Sequence, residues 1–335
     1  MFVRITKNMT ANKTRLPYQK PKTKSIAIVG NLAGVGERLT KALNQTKKVK
    51  AVLIPTTKDA IKTDLSKFDY VHALTMSPIY CQWLQNYYSA HATGSDLREL
   101  AQKNSTTGFL QRKSYRSAKR VFYVTPELHK YGRKIGLKKE QLVFLPNIID
   151  VRIPKNIEQN ERFTVFMPSR WEWGTKGTQH FIKAMSAFQK RHDCDFILVN
   201  WNGAVDETKT MYLLHKYNLS FWIYPQMSHE RLIKMVLRSH VILDQCVLGV
   251  FGLTTLEALA CNRSVIAFFN RQYLDYYDRD MPPIINVKPT TILAGLERAF
   301  NTWRKIQICK DGPKWVEKHH SPKVVAEKFL EHIPK

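Results

Sequence analysis

The sequence has few cysteines, few acidic residues and no long apolar segment. Its 335 residues include five cysteines without a CxxC spacing, which excludes a disulfide scaffold and a cysteine zinc site and predicts buried, reduced thiols. No run of about 18 apolar residues occurs, so no transmembrane helix is predicted, and we expect no secretory signal peptide. These absences predict a cytoplasmic protein, and no metal is expected.

The shortage of acidic residues is concentrated in the first half. Residues 1–160 carry 29 basic and 10 acidic side chains, whereas residues 161–335 carry 24 and 17. Between 103 and 139, eleven basic residues are opposed only by Glu127. Such asymmetry indicates an anionic partner, such as phospholipid headgroups, a lipid phosphate or nucleic acid. A merely solvated basic surface is the alternative interpretation.

A hydrophobic share of 44% over 335 residues predicts two domains, each with its own core. Residues 1–24 form a predicted basic flexible tail. In the first domain, residues 25–150, apolar strands are predicted at 25–30, 50–54, 70–74, 119–124 and 141–145. Helices are predicted at 37–45, 79–88 and 127–135. Strands that alternate with helices predict a parallel sheet covered on both faces.

The alternation of strands and helices restarts after a polar linker at 151–162. In the second domain, residues 163–310, strands are predicted at 163–167, 196–200, 241–243 and 264–268. Helices between them are predicted at 178–190, 208–217, 228–238 and 255–260. The last segment, 311–335, is predicted to be a helix that packs back across the domains. The fold class is therefore α/β, with two doubly wound, Rossmann-like parallel-sheet domains.

Two segments of the second domain suit a phosphate ligand. Arg170 and Lys176 lie six positions apart on a glycine-containing loop between a strand and a helix. Gly252, Leu253 and Thr254 open another predicted helix, whose first amides and positive dipole end favour an anion. Fixed cations and amides of this kind stabilise a departing diphosphate. A loop of ordinary solvated charges is the alternative for the first segment.

These segments resemble the donor-binding half of the family 4 retaining glycosyltransferases, which have the GT-B fold of two Rossmann-like domains facing a central cleft. The resemblance rests on SRWEWGTKGTQHFIKAM followed by GVFGLTTLEALACNRSVIAF, supported by LPNIID, HATGSD, IYPQMSHERL and the first glycine loop. It spans most of residues 25–270. It implies sugar transfer from a nucleotide sugar with retention, by front-face attack assisted by the leaving phosphate, and without a cofactor.

The resemblance also implies roles for individual residues. Arg170 and Lys176 would hold the donor diphosphate, Glu257 would bind the ribose, and His91, in a predicted loop, would lie near the transferred sugar. The backbone at 252–254 would add amide donors, and the loop at Gly30 and Gly34 would approach donor or acceptor from the first domain. The acceptor would be lipid-linked or anionic, at a membrane surface that the basic first domain contacts.

Departures from the family pattern leave other functions open. Gly249 stands where the family has the first glutamate of its paired-acid motif, so Asp244 and Gln245 are the candidates for contacting the sugar instead. Loss of that glutamate also keeps open a catalytically inactive GT-B protein that only binds a nucleotide sugar. The structural consequence of Asn262, in place of the usual helix-ending glycine, is expected to be mild, because Asn tolerates the left-handed conformation.

Two other classes compete with the glycosyltransferase. The glycine spacing after the first strand, with Tyr115 and Lys119, imitates a short-chain NADP-dependent dehydrogenase, although no acidic residue follows the second strand and the second domain would then lack a purpose. The charge alone favours a nucleic-acid-binding protein, but the sequence has no zinc-finger spacing, RNP-like motif or basic heptad region.

Overall fold

The computed structural model describes residues 23–84, 87–151, 153–154, 156–304 and 310–333, without the side chains of residues 83 and 84. The predicted basic tail therefore lies outside the described residues, except for residues 23 and 24. Lys24 begins the first strand.

The first domain contains a six-stranded parallel sheet in the order β2-β1-β3-β4-β5-β6. Its strands are β1 Lys24–Val29, β2 Val49–Ile54, β3 Tyr70–Leu74, β4 Tyr88–Ala92, β5 Val121–Tyr123 and β6 Leu142–Phe144. Its helices are α1 Val35–Gln45, α2 Thr57–Lys62, α3 Ser77–Leu84, α4 Ser95–Arg98, α5 Thr106–Ser117 and α6 Leu128–Lys134. The buried β1 segment, with Ile26 and Ile28 at 0% exposure, needs this cover on both faces.

The second domain repeats the plan with the order β12-β11-β10-β7-β8-β9. Its strands are β7 Thr164–Met167, β8 Asp195–Asn200, β9 Trp222–Pro225, β10 Val241–Leu243, β11 Ser264–Ala267 and β12 Ile285–Asn286. Its helices are α7 Thr178–Gln189, α8 Glu207–Lys216, α9 His229–Arg238, α10 Leu253–Ala260 and α11 Ile292–Thr302. The predicted α/β fold with two doubly wound sheets is confirmed.

Two helices complete the described chain, α12 Gly312–His320 and α13 Pro322–Glu331. The second of them packs on α1 of the first domain, and α12 packs on α10 of the second. Phe329 of α13 is fully buried, and its ring contacts His72 and Phe122 of the first sheet. The last helix therefore supplies part of the first domain's core.

Strand order places the switch point of the second sheet between β7 and β10, which pair in parallel. Ligands of open α/β sheets bind where neighbouring strands at the switch point lead their loops to opposite sides. The loops after β7 and β10 contain Lys176 and Gly252, so the topology brings the two predicted phosphate-binding segments together.

Local features of the second domain match the sequence in detail. Ser228 caps α9 by accepting a hydrogen bond from the Arg231 amide at 3.3 Å. Asn262 adopts φ = +57°, so it ends α10 in the left-handed conformation that the substitution for glycine was expected to tolerate. The cysteines Cys81, Cys194, Cys246 and Cys261 are buried and free, as predicted, and Cys309 lies outside the described residues.

Candidate functional site

A cavity of about 600 Å³ lies between the two domains and is lined by residues of both. The first domain contributes the segments after β1, β4 and β5, and the second contributes those after β7 and β10, with further residues near α8 and α10. The charged lining residues are Arg98, Glu99, Glu172, Lys176 and Asp206. Because parallel strands end at the same edge of each sheet, this cavity is the crevice that the topology predicts.

Lys176 is held on a tight loop just before α7. Its amide donates a hydrogen bond to the Glu172 carbonyl at 3.0 Å, and Gly177 adopts φ = +75° at the start of the helix. The Cys246 amide donates to the Lys176 carbonyl at 2.9 Å, which ties the loop after β7 to the loop after β10. The Lys176 side chain lines the cavity and is 24% exposed.

The amino terminus of α10 lies directly beside this lysine. Gly252 is the N-cap residue, and both Gly252 and Leu253 line the cavity. A Cβ atom on Gly252 would lie 3.0 Å from the Lys176 Nζ atom, so glycine is what allows the ammonium group to approach the helix end. The first amides of a helix have no partner within it, and a cation beside them makes a site for an anion.

Gln245 organises the loop that leads into α10. Its buried carboxamide oxygen accepts hydrogen bonds from the amides of Leu248 (3.0 Å) and Gly249 (3.2 Å). Its nitrogen donates to the carbonyls of Val250 and Phe268. Gln245 also lines the cavity, so it fixes the backbone of the glycine loop and contributes to the wall at the same time.

Gly249, where the family places an acid, cannot accept a side chain in this conformation. Its φ is +75°, and a Cβ atom would lie 2.9 Å from the Phe268 ring and 3.0 Å from Cβ of Asn270. The loop is therefore built around glycine at this position. Any acidic contact to a bound sugar must come from another residue, and Glu99, Glu172 and Asp206 are the carboxylates that line the cavity among the described residues.

Asp244 does not fill that role, and its predicted contact with the sugar is corrected. The residue is 0% exposed, and it does not line the cavity. Its carboxylate instead accepts hydrogen bonds from Lys176 and Thr255. The sequence located Asp244 next to the site, but whether the side chain faces the cavity or lies behind its wall depends on tertiary packing.

The structure separates several residues that the resemblance grouped. Lys176, Gln245, Gly252 and Leu253 line the cavity, whereas the remaining predicted site residues do not; these are Gly30, Gly34, His91, Arg170, Asp244, Thr254 and Glu257. Arg170, in the loop after β7, is exposed and does not line the cavity. At the first glycine loop, Leu32, Ala33 and Val35 face the cavity in place of the two glycines.

Glu257 lies in α10, buried away from the cavity. Its carboxylate is 2.9 Å from Nε2 of His229 and 3.6 Å from the guanidinium of Arg38, which comes from α1 of the first domain. The hydrogen bond to Glu257 raises the pKa of His229. Glu257 therefore links the two domains in this conformation through its Oε1 atom.

His91 is in a different place from the one predicted. The sequence predicted a loop after a helix, but His91 belongs to strand β4 and is 3% exposed. Its Nδ1 atom is 3.0 Å from Nε2 of His72, whose Nδ1 is 2.6 Å from the Ser89 hydroxyl. Burial lowers the pKa of His91 to about 4. This neutral core pair does not line the cavity. The predicted loop is therefore wrong, and the catalytic role of His91 stays a prediction.

The cavity residues that the sequence analysis missed follow β4 directly. Thr93, Gly94 and Ser95 line the cavity, and Asp96 beneath them accepts the amides of Thr93 (3.0 Å) and Gly94 (2.8 Å). The Gly-Ser-Asp sequence is a signal for a turn and a helix start. It would have located this segment had the strand at 88–92 been recognised.

Arg98, at the end of α4, is the first-domain cation at the cavity among the described residues. Its guanidinium is 2.5 Å from the carboxylate of Glu127, and their side chains are 15% and 2% exposed. The paired carboxylate leaves Arg98 little net positive charge. Among the described residues the first domain therefore brings no unpaired cation to the cavity, and Glu99 adds a carboxylate.

The dehydrogenase alternative finds no support in the structure. The Tyr115 side chain is fully buried, and its hydroxyl donates to the Asp96 carboxylate at 3.1 Å. Burial raises the pKa of Tyr115 well above its usual value. Lys119 is exposed, and neither residue lines the cavity. A tyrosine in this state is not available as a catalytic acid.

The described residues contain neither a membrane-spanning helix nor a cluster of metal-ligating side chains. Across that part of the chain, no helix has both the length and the apolar character needed to span a bilayer. Within the same ranges, no group of three or more His, Cys, Asp or Glu residues is placed to hold a metal ion.

Comparison with known proteins is consistent with this geometry. Residues 149–277 match the family model described as glycosyl transferases group 1. Comparison with curated protein sequences gives no match.

Solved structures with the same fold cover nearly the whole chain. Sucrose-phosphate synthase from Thermosynechococcus elongatus is 15% identical, with a TM-score of 0.69 over 92% of this chain and 98% of that one. HepE from Anabaena, solved with UDP-glucose, is 12% identical, with a TM-score of 0.68 over 92% and 98%. A glycosyltransferase from Rickettsia africae is 16% identical, with a TM-score of 0.65 over 92% and 97%. The chain therefore has the GT-B fold, and its residues 149–277 match the group 1 glycosyltransferases, in agreement with the family 4 resemblance of its motifs.

Proposed function

We propose that this protein transfers a sugar from a nucleotide-sugar donor, and that Lys176 and the amino terminus of α10 hold the leaving diphosphate. One observation carries the proposal: the Lys176 ammonium lies beside Gly252, at the helix end, in the wall of the cavity between the domains. Negative charge develops on the diphosphate as the glycosidic bond breaks. A fixed cation and helix amides stabilise that charge without reorganising.

A protein with the same fold supports the identity of the donor. HepE, which shares the fold, was solved with UDP-glucose and with UDP and glucose. The proposal extends a nucleotide-sugar donor to this chain, with retention of configuration and no metal, as the family 4 resemblance implies. Since the leaving phosphate assists attack on the same face of the sugar, no protein nucleophile is required.

Two further roles belong to the proposal and require movement. Glu257 would accept hydrogen bonds from the donor ribose once Arg38, which now occupies its carboxylate, has moved. Arg170, exposed at the end of β7, would turn toward the diphosphate as a second cation. Relative motion of the two domains would separate Arg38 from Glu257, which belong to different domains, whereas Arg170 would turn within the second domain.

The acceptor is proposed to meet the basic first domain at an anionic membrane surface. Nine of the eleven basic residues between 103 and 139 are exposed. The same domain exposes Phe109 on α5 (56%) and Tyr80 on α3 (43%), and these two helices pack together. Basic residues beside exposed aromatic side chains suit a surface of anionic headgroups.

We expect the protein to bind phosphatidylglycerol-containing vesicles and to release them as salt rises to about 1 M, where the Debye length is about 3 Å. The triple variant K134E/K138E/K139E should bind weakly in vesicle sedimentation. A matched triple variant of exposed lysines in the second domain, K183E/K190E/K216E, should bind like the parent. Equal binding to neutral phosphatidylcholine vesicles would rule out the electrostatic interpretation.

The donor proposal is tested by a thermal-shift panel of UDP, GDP, ADP and NADP. One nucleoside diphosphate is expected to raise the melting temperature, and its sugar conjugate should be turned over with a suitable acceptor. Stabilisation by NADP alone would support the dehydrogenase, and stabilisation by RNA alone would support a nucleic-acid-binding protein.

A catalytically inactive nucleotide-sugar-binding protein is the second candidate. The observation that favours it is Gly249, a position that lacks the acid of the family and has no room for one. Tight binding of a nucleotide sugar without either transfer or hydrolysis would favour this candidate over the enzyme.

A further inference from the structure

Asp244 is a buried carboxylate directly behind the proposed diphosphate site, and it does not line the cavity. We propose that Asp244 is a positioning residue, which holds the Lys176 ammonium against the amino terminus of α10. This inference rests on the proposed function of Lys176 as a ligand of the diphosphate.

The geometry connects three elements through one carboxylate. Oδ1 of Asp244 accepts a hydrogen bond from Nζ of Lys176 at 3.0 Å, and Oδ2 accepts one from the Thr255 hydroxyl at 2.7 Å. Asp244 follows β10, Lys176 lies on the loop after β7, and Thr255 belongs to α10. Both Asp244 and Thr255 are 0% exposed, so the carboxylate is a fixed point between the strand and the helix.

A lysine needs such a fixed point more than an arginine does. Its ammonium is carried on a flexible four-carbon stem and has no planar geometry of its own. The Lys176 side chain is 24% exposed, so without a partner it could turn toward solvent. Bound to Asp244, the Nζ atom stays beside Gly252, where its remaining two N–H groups are available to a phosphate.

The negative charge of Asp244 and its position have opposite effects on diphosphate binding. A carboxylate next to Lys176 offsets the positive charge that attracts a diphosphate. If the main effect of Asp244 were to neutralise the positive charge of Lys176, removing the carboxylate charge would tighten diphosphate binding. If positioning is its main effect, removing the charge weakens diphosphate binding. The two interpretations therefore predict opposite signs for the same isosteric substitution, Asp244→Asn.

The experiment measures, by titration calorimetry, the affinity of the tightest-binding nucleoside diphosphate among UDP, GDP and ADP, together with that of its parent nucleoside. Asp244→Asn is expected to weaken the diphosphate about tenfold, as loss of a charge-assisted hydrogen bond that orients a ligand group would, and to leave the nucleoside unchanged. The double variant D244N/K176A should bind no more weakly than K176A, because both substitutions remove the same interaction.

The outcomes separate this inference from the proposed function. Unchanged or tighter diphosphate binding by Asp244→Asn, with weaker binding by Lys176→Ala, overturns the positioning role only. Unchanged binding by Lys176→Ala overturns the proposed diphosphate site itself. Equal losses for nucleoside and diphosphate in Asp244→Asn would indicate general damage to the domain, and would also overturn the positioning role.

A second variant covers the case in which Asp244→Asn fails to fold. Thr255→Val removes one hydrogen bond to the carboxylate and leaves the ion pair with Lys176. It should weaken the diphosphate by a smaller factor, about threefold, in the same direction; unchanged or tighter binding would count against positioning. Asp280→Asn, which removes a carboxylate from an ion pair with Lys318 outside the cavity lining, serves as the matched control and should leave both affinities unchanged.

Discussion

Replacement of Lys176 by alanine is expected to lower turnover by about 10²–10³-fold, the usual effect of removing one donor that stabilises transition-state charge. Loss of the lysine also leaves the 0% exposed Asp244 carboxylate without its cation, so the melting temperature should fall as well. The rate is therefore compared at a temperature at which both proteins are folded. The measurement is steady-state sugar transfer with the donor identified by thermal shift, together with a melting curve of each variant.

The matched control for this variant is Lys183→Ala. Lys183 lies in α7, shortly after Lys176 in the sequence, but its side chain is exposed and does not line the cavity. It should retain the parental rate. Arg170→Ala provides a separate comparison: a loss comparable to that of Lys176→Ala would show that Arg170 reaches the diphosphate during turnover. A Lys176→Ala enzyme as active as the parent would remove the assignment of the leaving-group site.

Acidification is expected to lower the free energy of unfolding at pH values well above the range in which carboxylates usually titrate. Burial lowers the pKa of His91, His240 and His320 to about 4, and lowers that of His72 further below its normal value. The unfolded chain binds protons at these groups near pH 6.5, whereas the folded chain excludes them until about pH 4. The free energy of unfolding therefore falls as pH falls through this window.

The expected loss of stability at lower pH follows from the number of protons that the unfolded chain binds and the folded chain does not. The raised pKa of His229 works in the opposite direction but offsets little, because both states bind that proton below pH 6.5. The three histidines with a pKa of about 4 together account for about 3 kcal/mol lost between pH 6.5 and pH 5.5. Urea unfolding across this range measures it. His240→Asn, which keeps an acceptor for the Thr164 amide, should reduce the pH slope. His215→Asn, at an exposed site, should leave the slope unchanged. A flat profile would contradict the buried-histidine account.

Features carried by short segments were predictable from the sequence. The strand before the first glycine loop, the cap of α9 at Ser228 and the glycine at the start of α10 each depend on neighbours within a few residues. The alternation of strands and helices predicted two parallel sheets, although β4, β9 and β12 were not among the predicted strands. The sequence accordingly predicts that Lys176 and Gly252 belong to one site.

Features that depend on distant neighbours were not predictable in this way. Strand β4 reads Tyr-Ser-Ala-His-Ala; it lacks the β-branched residues typical of strands, and its position is set by burial between β3 and β5. The partners Lys176 and Asp244 are 68 positions apart, and Arg98 and Glu127 are 29 apart. No local pattern distinguishes a carboxylate that faces a ligand from one that fixes a lysine.

The helix α13 also determines how this protein can be divided. Val325 and Phe329 are fully or almost fully buried in the same cluster as Ile26, Ile28 and Phe122 of the first sheet. A fragment ending at the interdomain linker would expose that apolar face and should aggregate. Chimeras that exchange the donor-binding half with other GT-B proteins would therefore have to keep this chain's own residues 321–333. The exchangeable segment is then bounded by the interdomain linker at one end and by the start of α13 at the other.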